Sequence, residues 1–468
     1  MTHSNHRIAD VKFDLDLIKK YNLSGPRYTS YPTAVVFNDS YREAKHTNNL
    51  TSYFEESRVK PLSLYFHIPF CDTLCFFCAC NKIATKKREK ADIYLDYLEK
   101  EIKMQAALIP QQRVVEQMHF GGGTPTFLTH PQLIRMMTMI EQHFNLIHDD
   151  RRDYSIEIDP RQAAPATIQL LADLGFNRFS MGVQDVQEKV QLAVNRIQPI
   201  ELTAQAIKTC RANGAKSINV DLIYGLPHQT HASFKNTLAQ VIDLSPDRLS
   251  VFNYAHMPHL FKPQKRILAT DLPSPDEKLS ILQMTIEDLT AAGYVYIGMD
   301  HFAKPDDELA IAQQNGGLQR NFQGYTTHAE FDLLSMGVSA ISLINNAFSQ
   351  NAKTLEAYYS QIDQGHIPVI KGYALSQDDL IRKQVIQSLA CHFKLNKTQI
   401  AEQFDIDFDD YFKYEHDQLM EFKTDGLINI QEDSIKVTAA GRLLIRNICM
   451  VFDVHLRQQT EHKFSKVI

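Results

Sequence analysis

A strand-then-helix rhythm constrains the fold of this chain more than any other feature of its sequence. Short apolar stretches at 62–68, 114–120, 154–159, 176–183, 217–223 and 248–253 read as strands, and Leu62, Leu64 and Phe66 alternate as residues of a pleated strand do. Segments of helical period lie between them. Leu95, Leu98, Ile102, Ala106 and Ile109 form one apolar face within 91–109, and Leu133, Met136, Met137, Ile140 and Phe144 form another. The methionines keep the helical spacing and read as core filler, not as ligands. Further helices end at Gly175 and near Asn213 and Gly214, and one spans 233–244. Such alternation makes right-handed βαβ units and a parallel sheet. Six units leave two forms open, an incomplete barrel or an open doubly wound sheet.

Past the sixth strand the rhythm loosens. Residues 274–293 predict one long helix, with Ser274 as N-cap, Pro275 in its first turn and Gly293 at its end, and 294–298 predict another strand. From about Tyr373, helices lead to Asp425 and Gly426, then to two short strands about a turn at Glu432 and Asp433, then to a final helix. That order resembles a winged helix. The first fifty residues are polar apart from an aromatic knot, GPRYTSYPT at 25–33, which reads as an extension laid over something else. The expected organisation is an N-terminal extension covering the active site (1–55), a barrel core (56–300), a connecting segment walling the site (301–370) and a small, mostly helical, winged-helix-like C-terminal domain (371–468).

Composition narrows the function. The chain has 468 residues with 49 Lys+Arg against 55 Asp+Glu, a net charge of −6 that lacks the basic footprint of a nucleic-acid binder, so the C-terminal domain reads as a structural or lid module. No stretch is long and apolar enough to span a membrane, and the N-terminus has no apolar core before a cleavage site, so a cytoplasmic protein is expected. There are seven cysteines, an odd count that does not suit a disulfide framework. Cys210, Cys391 and Cys449 are scattered and read as small core residues. Cys71, Cys75, Cys78 and Cys80 fall within ten residues and need their own explanation.

Polar residues collect at the strand ends. The cysteines follow strand one, Gly121-Gly122-Gly123-Thr124-Pro125 strand two, Glu157 lies near the end of strand three, and Gln184 and Asp185 follow strand four. Asp221 sits in strand five, and Asn253, Tyr254 and Ala255 end strand six. Ligands of parallel α/β folds bind at the carboxyl ends of strands, so six loops converge on one face. Four cysteines so close together bind a soft metal or a cluster. Zinc is one reading, but structural zinc usually draws on two knuckles separated by a longer loop. A compact loop suits an iron–sulfur cube better, and three thiolates on a four-iron cube leave one iron open for a small ligand.

Cys71-x3-Cys75-x2-Cys78 after the first strand, followed by GGGTP after the second, resembles the radical S-adenosylmethionine (SAM) superfamily. The resemblance implies a partial (β/α)6 barrel, which would resolve the ambiguity of form. Within that superfamily PLSLYFHIPFCDTLCFFCACNK, GPRYTSYPTA, SIEIDPR, GFNRFSMGVQD, NVDLIYGLP, DRLSVFNYAH, GMDHFAKPDDELA and GRLLIRNICM are similar to the oxygen-independent coproporphyrinogen III oxidases, from Gly25 to Met450. Ala79 stands where that family commonly has glycine and Phe120 where tryptophan is frequent; neither alters a ligand.

The resemblance implies that Cys71, Cys75 and Cys78 hold a [4Fe–4S] cluster and that Cys80 does not. It implies two SAM molecules, the first lined by Tyr65, Gly122, Glu157, Ala255 and Ile341, the second by Phe77, Gly123, Thr124, Gln184, Arg196 and Asp221. Arg196 would grip a carboxylate and Phe77 would stack on adenine; Arg196 and Arg161 otherwise read as surface salt bridges, and Asp221 as a buried acid paired with a base. His67, His119, His256 and His301 lie near strand ends as substrate contacts or wall residues, and the run Lys86-Lys87-Arg88 reads as solvated surface. No nucleophile motif or P-loop is present, so catalysis would rest on the cluster and SAM alone. The implied reaction is anaerobic decarboxylation of two propionates of coproporphyrinogen III to vinyl groups, giving protoporphyrinogen IX, with an external electron donor, no nucleic acid or membrane partner, and a monomeric protein. The alternatives are a heme chaperone of the same superfamily, which usually lacks both Cys80 and the GPRYTSYPTA extension, or a radical SAM enzyme on another substrate.

Overall fold

A computed structural model describes residues 11–56, 60–328 and 331–458, so parts of the expected terminal segments, 1–10 and 459–468, lie outside the described residues. Six parallel strands form in sequence order: β1 (Leu62–Ile68), β2 (Val114–Gly122), β3 (Asp153–Ile158), β4 (Arg178–Gln184), β5 (Ser217–Tyr224) and β6 (Arg248–Asn253). Residues 176 and 177 are not part of β4, as the sequence reading had them. Gly175 at φ +97° turns the chain, Phe176 N–H closes the helix end on Leu171 O, and the Phe176 ring packs edge-on to Phe120. The helix expected from 233 begins at His231, because Thr230 caps it and accepts from Ser233 N–H at 3.1 Å. The long helix is Pro275–Ala291, and Ser274 caps it as expected.

The sheet continues past both edges of this series. β8 (His301–Ala303) adds antiparallel to β6, and β7 (Val295–Gly298) pairs antiparallel with β8. On the far side, a hairpin of β9 (Gln319–Asn321) and β10 (Gly324–Thr326) precedes β11 (Asp332–Met336), which pairs in parallel with β1. Antiparallel β12 (Ile341–Ile344), β13 (Ala347–Asn351) and β14 (Val369–Ala374) follow it. The strand order is therefore β7-β8-β6-β5-β4-β3-β2-β1-β11-β12-β13-β14.

Period-two alternation explains what each face of the six strands does. Tyr154, Ile156 and Ile158, then Phe179, Met181 and Val183, then Ile218, Val220 and Leu222 are buried under the surrounding helices. Their neighbours on the other face are polar: Ser155 and Glu157, Ser180 and Gln184, Asn219 and Asp221. A barrel-like sheet with an apolar outside and a polar inside leaves room for a polar ligand within.

In the C-terminal region, Lys394–Asn396 completes a three-stranded antiparallel sheet with the expected hairpin, Ile428–Ile430 and Ser434–Val437, beside the helix Gln377–His392. Core residues run without a break from the barrel into these helices through Tyr296, Leu389, Phe393 and Ile448. The aromatic knot at 25–33 lies in the same seam. Tyr28 OH donates to Asp453 Oδ2 at 3.0 Å, Arg446 donates to the carbonyls of Gly25 and Pro26, and Arg27 reaches Asp300 at 3.3 Å. The extension thus joins the C-terminal helices to the carboxyl end of the barrel. Among the described residues, no helix is long and apolar enough to cross a membrane.

Candidate active site

The amino ends of the strands are closed by charge. Arg178 pairs with Asp153 at 2.7 Å and with Glu308 at 2.6 Å, Arg248 reaches the other Glu308 oxygen at 2.9 Å, and His328 reaches Asp153 at 3.0 Å. Burial alone would raise the Asp153 carboxyl, but the His328 hydrogen bond and the Arg178 charge outweigh it and hold it down at about 2. Above this floor a cavity of about 250 Å³ reaches His119, Glu157, Asp221 and His301.

The cysteine loop lies at the opposite, carboxyl end. Asn195 Nδ2 donates to Leu74 O, Phe76 N–H to Val194 O and Thr85 N–H to Cys71 O, each at 2.9 Å, which fixes the loop over the strand ends. Cys71 and Cys75 are buried, Cys78 is half-buried and Cys80 is exposed. Thr124 Oγ1 donates to Cys71 Sγ at 3.4 Å, and Arg196 Nη1 lies 3.7 Å from Cys75 Sγ. Burial pushes the Cys71 thiol up to about 11, so a thiolate there calls for a cation at the sulfur.

A second cavity, of about 220 Å³, gathers most of the residues singled out in the sequence. Cys71, Cys75, Cys78, Phe77, Gly122, Gly123, Thr124, Glu157, Gln184, Arg196 and Asp221 all line it. A third, of about 240 Å³, is walled by Tyr65, Glu157 and Ile341 with His67 and His119, and Glu157 is common to both. Gly122 was expected with Tyr65 but lines the cysteine-side cavity, because its φ of +113° carries the chain away from His67, whose ring a Cβ would meet at 2.6 Å. Ala255 follows β6 and is not among the walls of either cavity.

The electrostatics of this volume are specific. Glu157 accepts from Gly122 N–H and lies 3.5 Å from His119 Nε2. Burial pushes its carboxyl upward, but these two partners prevail and hold it below its ordinary value. Burial raises Asp221 to about 6, and the charge of Glu157 adds to the rise against the Asn219 hydrogen bond. The reading of Asp221 as an acid paired with a base is thereby corrected: Asn219 Nδ2 donates to it at 2.8 Å. Arg196 and Arg161 do make ion pairs, with Asp159, but not at the surface; their side chains are 10% and 16% exposed and both groups face the cysteine-side cavity. Gln184, held at φ +70°, keeps its Oε1 buried without a partner, as Arg196 keeps its Nε.

These features fit the groups the sequence implied. Four thiols around one cavity, those of Cys71, Cys75, Cys78 and Cys80, with guanidinium groups beside them, suit a cluster. Among the described residues no three His, Cys, Asp or Glu side chains gather as a single-ion site would need. Orphaned polar atoms, an anion and a cation suit a zwitterion. A Cβ on Gly123 would come within 2.8 Å of Pro69 and Phe70 backbone atoms, so that position must stay bare. Sequence reasoning missed Asp159, Phe322 and Gln323, which also line the second or third cavity. Asp159 carried a signal, since it directly follows β3; the other two lie in a loop without a pattern.

A partial parallel barrel with a three-cysteine loop after its first strand and a glycine cradle after its second defines a radical SAM protein. Residues 65–241 match the radical SAM superfamily, and residues 375–444 match the HemN C-terminal domain. The chain is 51% identical over 458 residues to the oxygen-independent coproporphyrinogen III oxidase of Pseudomonas aeruginosa, covering 98% of this chain and 99% of that one. It is 51% identical over 462 residues to the Escherichia coli protein of the same name, covering 98% and 100%. Coproporphyrinogen III oxidase (HemN) from Escherichia coli, a solved radical SAM enzyme, superposes with a TM-score of 0.91 at 50% identity over 95% of this chain and 100% of its own. The chain belongs to the oxygen-independent coproporphyrinogen III oxidase family.

Proposed function

We propose that this chain is an oxidoreductase of heme biosynthesis that converts two propionate side chains of coproporphyrinogen III into vinyl groups without oxygen, giving protoporphyrinogen IX. The observation that carries the reading is the pair of adjoining cavities that share Glu157 beside Cys71, Cys75 and Cys78, in a chain 51% identical to enzymes of that name. Cys71, Cys75 and Cys78 would hold a [4Fe–4S] cluster. When bound, the cluster and SAM would supply a one-electron reductive cleavage whose 5′-deoxyadenosyl radical takes a hydrogen atom from a propionate β-carbon, and the substrate radical would then release carbon dioxide and pass one electron to an external acceptor to leave the vinyl group.

The residues do the rest by position. Tyr65, Glu157 and Ile341 hold one SAM, and the Gly122 backbone N–H aims Glu157. Phe77, Gly123, Thr124, Gln184, Arg196 and Asp221 hold a second, which suits a reaction carried out on two propionates. Arg196 offers a cation to a carboxylate and Asp221 an anion to hydroxyl groups or a sulfonium. The strap at 25–33 and the C-terminal helices cover the mouth and keep water out. The protein is read as a cytoplasmic monomer with an external one-electron donor, and its odd count of seven cysteines suits a reducing compartment. The test is anaerobic incubation of the cluster-loaded protein with SAM, a reductant and coproporphyrinogen III, with porphyrins separated after oxidation. Protoporphyrin is expected; unchanged coproporphyrin beside cleaved SAM would favour another substrate.

A further inference from the structure

A fourth cavity, of about 370 Å³, adjoins the Tyr65 cavity and shares Phe322 with it. The N-terminal strap contributes Thr29 and Ser30 to it, the β9–β10 hairpin Arg320 and Phe322, and the helix Gln377–His392 contributes Lys383. Phe331, Phe348 and Phe404 make its apolar side. Among the described residues its walls carry two cations, Arg320 and Lys383, with His328, and neither Asp nor Glu.

Arg320 is 5% exposed, and its Nε and Nη1 are buried without a hydrogen-bond partner. Its guanidinium lies 4.7 Å from the Tyr325 ring centroid. No described carboxylate stands within salt-bridge reach of it, whereas Arg178 and Arg248 at the barrel floor each have one. A buried guanidinium without an anion is costly, and a protein keeps one where a ligand brings the anion. Excess positive charge is felt nearby: burial pushes His301 down to about 3, and the charge of Arg320 adds to the shift. Burial also lowers the Lys383 ammonium to about 8, with the charge of Lys60 adding to it, so it is still mostly a cation at neutral pH.

We propose that Arg320 and Lys383 anchor a propionate carboxylate of the tetrapyrrole while the phenylalanine wall takes its pyrrole ring, which leaves the reacting propionate to extend toward the Tyr65 cavity. The volume is at the small end for a ligand site, so one edge of the macrocycle enters and not the whole. Two cations from different elements, with no acid among the described lining residues, select a carboxylate-bearing edge over one carrying only apolar substituents. This rests on the activity proposed above and names the residues that would recognise its substrate.

The test uses the full-length protein and two fluorescent, non-reacting probes, coproporphyrin III and its tetramethyl ester. Wild type is expected to bind the acid more tightly than the ester. Arg320→Gln and Lys383→Gln should each weaken binding of the acid by about ten- to a hundredfold and leave the ester unaffected. Arg320→Lys should recover part of the loss, and iron content with circular dichroism checks that each variant is folded. Wild-type affinity for the acid in a folded double variant would overturn the anchor. A wild type that binds neither probe and leaves coproporphyrinogen III unchanged would instead overturn the activity itself, so the two failures are distinct.

Discussion

The backbone N–H of Gly122 donates to Glu157 Oε2 at 3.2 Å. Through that bond the glycine run after the second strand is tied to the acid near the end of the third. Glu157 is thereby aimed before any ligand arrives, and His119 together with this bond holds its carboxyl below the ordinary value, on the wall shared by the two cavities proposed to hold SAM. Preorganisation of this kind spares the enzyme the cost of ordering the group when the cofactor binds.

The cluster assignment separates three cysteines from a fourth. Changing Cys71, Cys75 or Cys78 to Ser should abolish the brown iron–sulfur absorbance and all SAM cleavage, because a hard oxygen ligand holds such clusters poorly. Cys80 is exposed at the rim, and Cys80→Ser should keep its iron. Iron and sulfide analysis of the four proteins decides this; a full four-iron cluster in Cys71→Ser would refute the ligand set.

Arg196 donates to the Gly182 carbonyl at 2.5 Å and pairs with Asp159 at 3.5 Å, and its side chain lines the cysteine-side cavity. Arg196→Ala should leave the cluster assembled and weaken SAM binding by about 1.5–3 kcal/mol, the worth of a charge-assisted hydrogen bond. Bound SAM per cluster, measured alongside turnover, reads this out. Unchanged stoichiometry and turnover would reduce Arg196 to a structural ion pair.

Asp221 supplies a pH dependence with a definite sign. Its carboxyl is raised to about 6, chiefly by burial, with Glu157 adding to the shift and Arg196 opposing it. The anion that holds the cofactor is therefore scarce at about pH 5 and complete by about pH 7.5. SAM affinity should climb across that interval, and binding of the cationic cofactor should release a proton at its lower end. Asp221→Asn should flatten the climb. Calorimetric titration at several pH values, in buffers of different ionisation enthalpy, measures both the affinity and the proton.

The N-terminal strap is tested by stability. Tyr28 OH is the hydroxyl donor to the buried Asp453 carboxylate, and Tyr28→Phe leaves that acceptor short of a partner. The cost should be about 1–3 kcal/mol in urea unfolding. A loss below a few tenths would mean that the strap contributes little through this contact.

Much of this architecture was legible because the six barrel strands obey simple rules. Leu62–Ile68 and Arg248–Asn253 have the bounds expected from the sequence, since each is flanked by polar or turn-forming residues. β11 and β13 were not legible. Every residue of Asp332–Met336 and Ala347–Asn351 is buried on both faces, so neither shows the alternation that marks a half-exposed strand. The inward polar series, from Ser155 and Glu157 to Asn219 and Asp221, was present in the sequence as period two but reads as a site only once the sheet curls. Arg320 was beyond reach for a different reason. Nothing in a sequence says that an arginine will be buried with no acid beside it; only the three-dimensional surroundings show it.

The most direct test of the account is to follow one hydrogen atom. Coproporphyrinogen III deuterated at the propionate β-carbons is incubated anaerobically with the cluster-loaded protein, SAM and a reductant, and the 5′-deoxyadenosine is analysed by mass spectrometry. The account predicts deuterium in 5′-deoxyadenosine, accumulating in step with vinyl groups and carbon dioxide. Vinyl formation with unlabelled 5′-deoxyadenosine would contradict it.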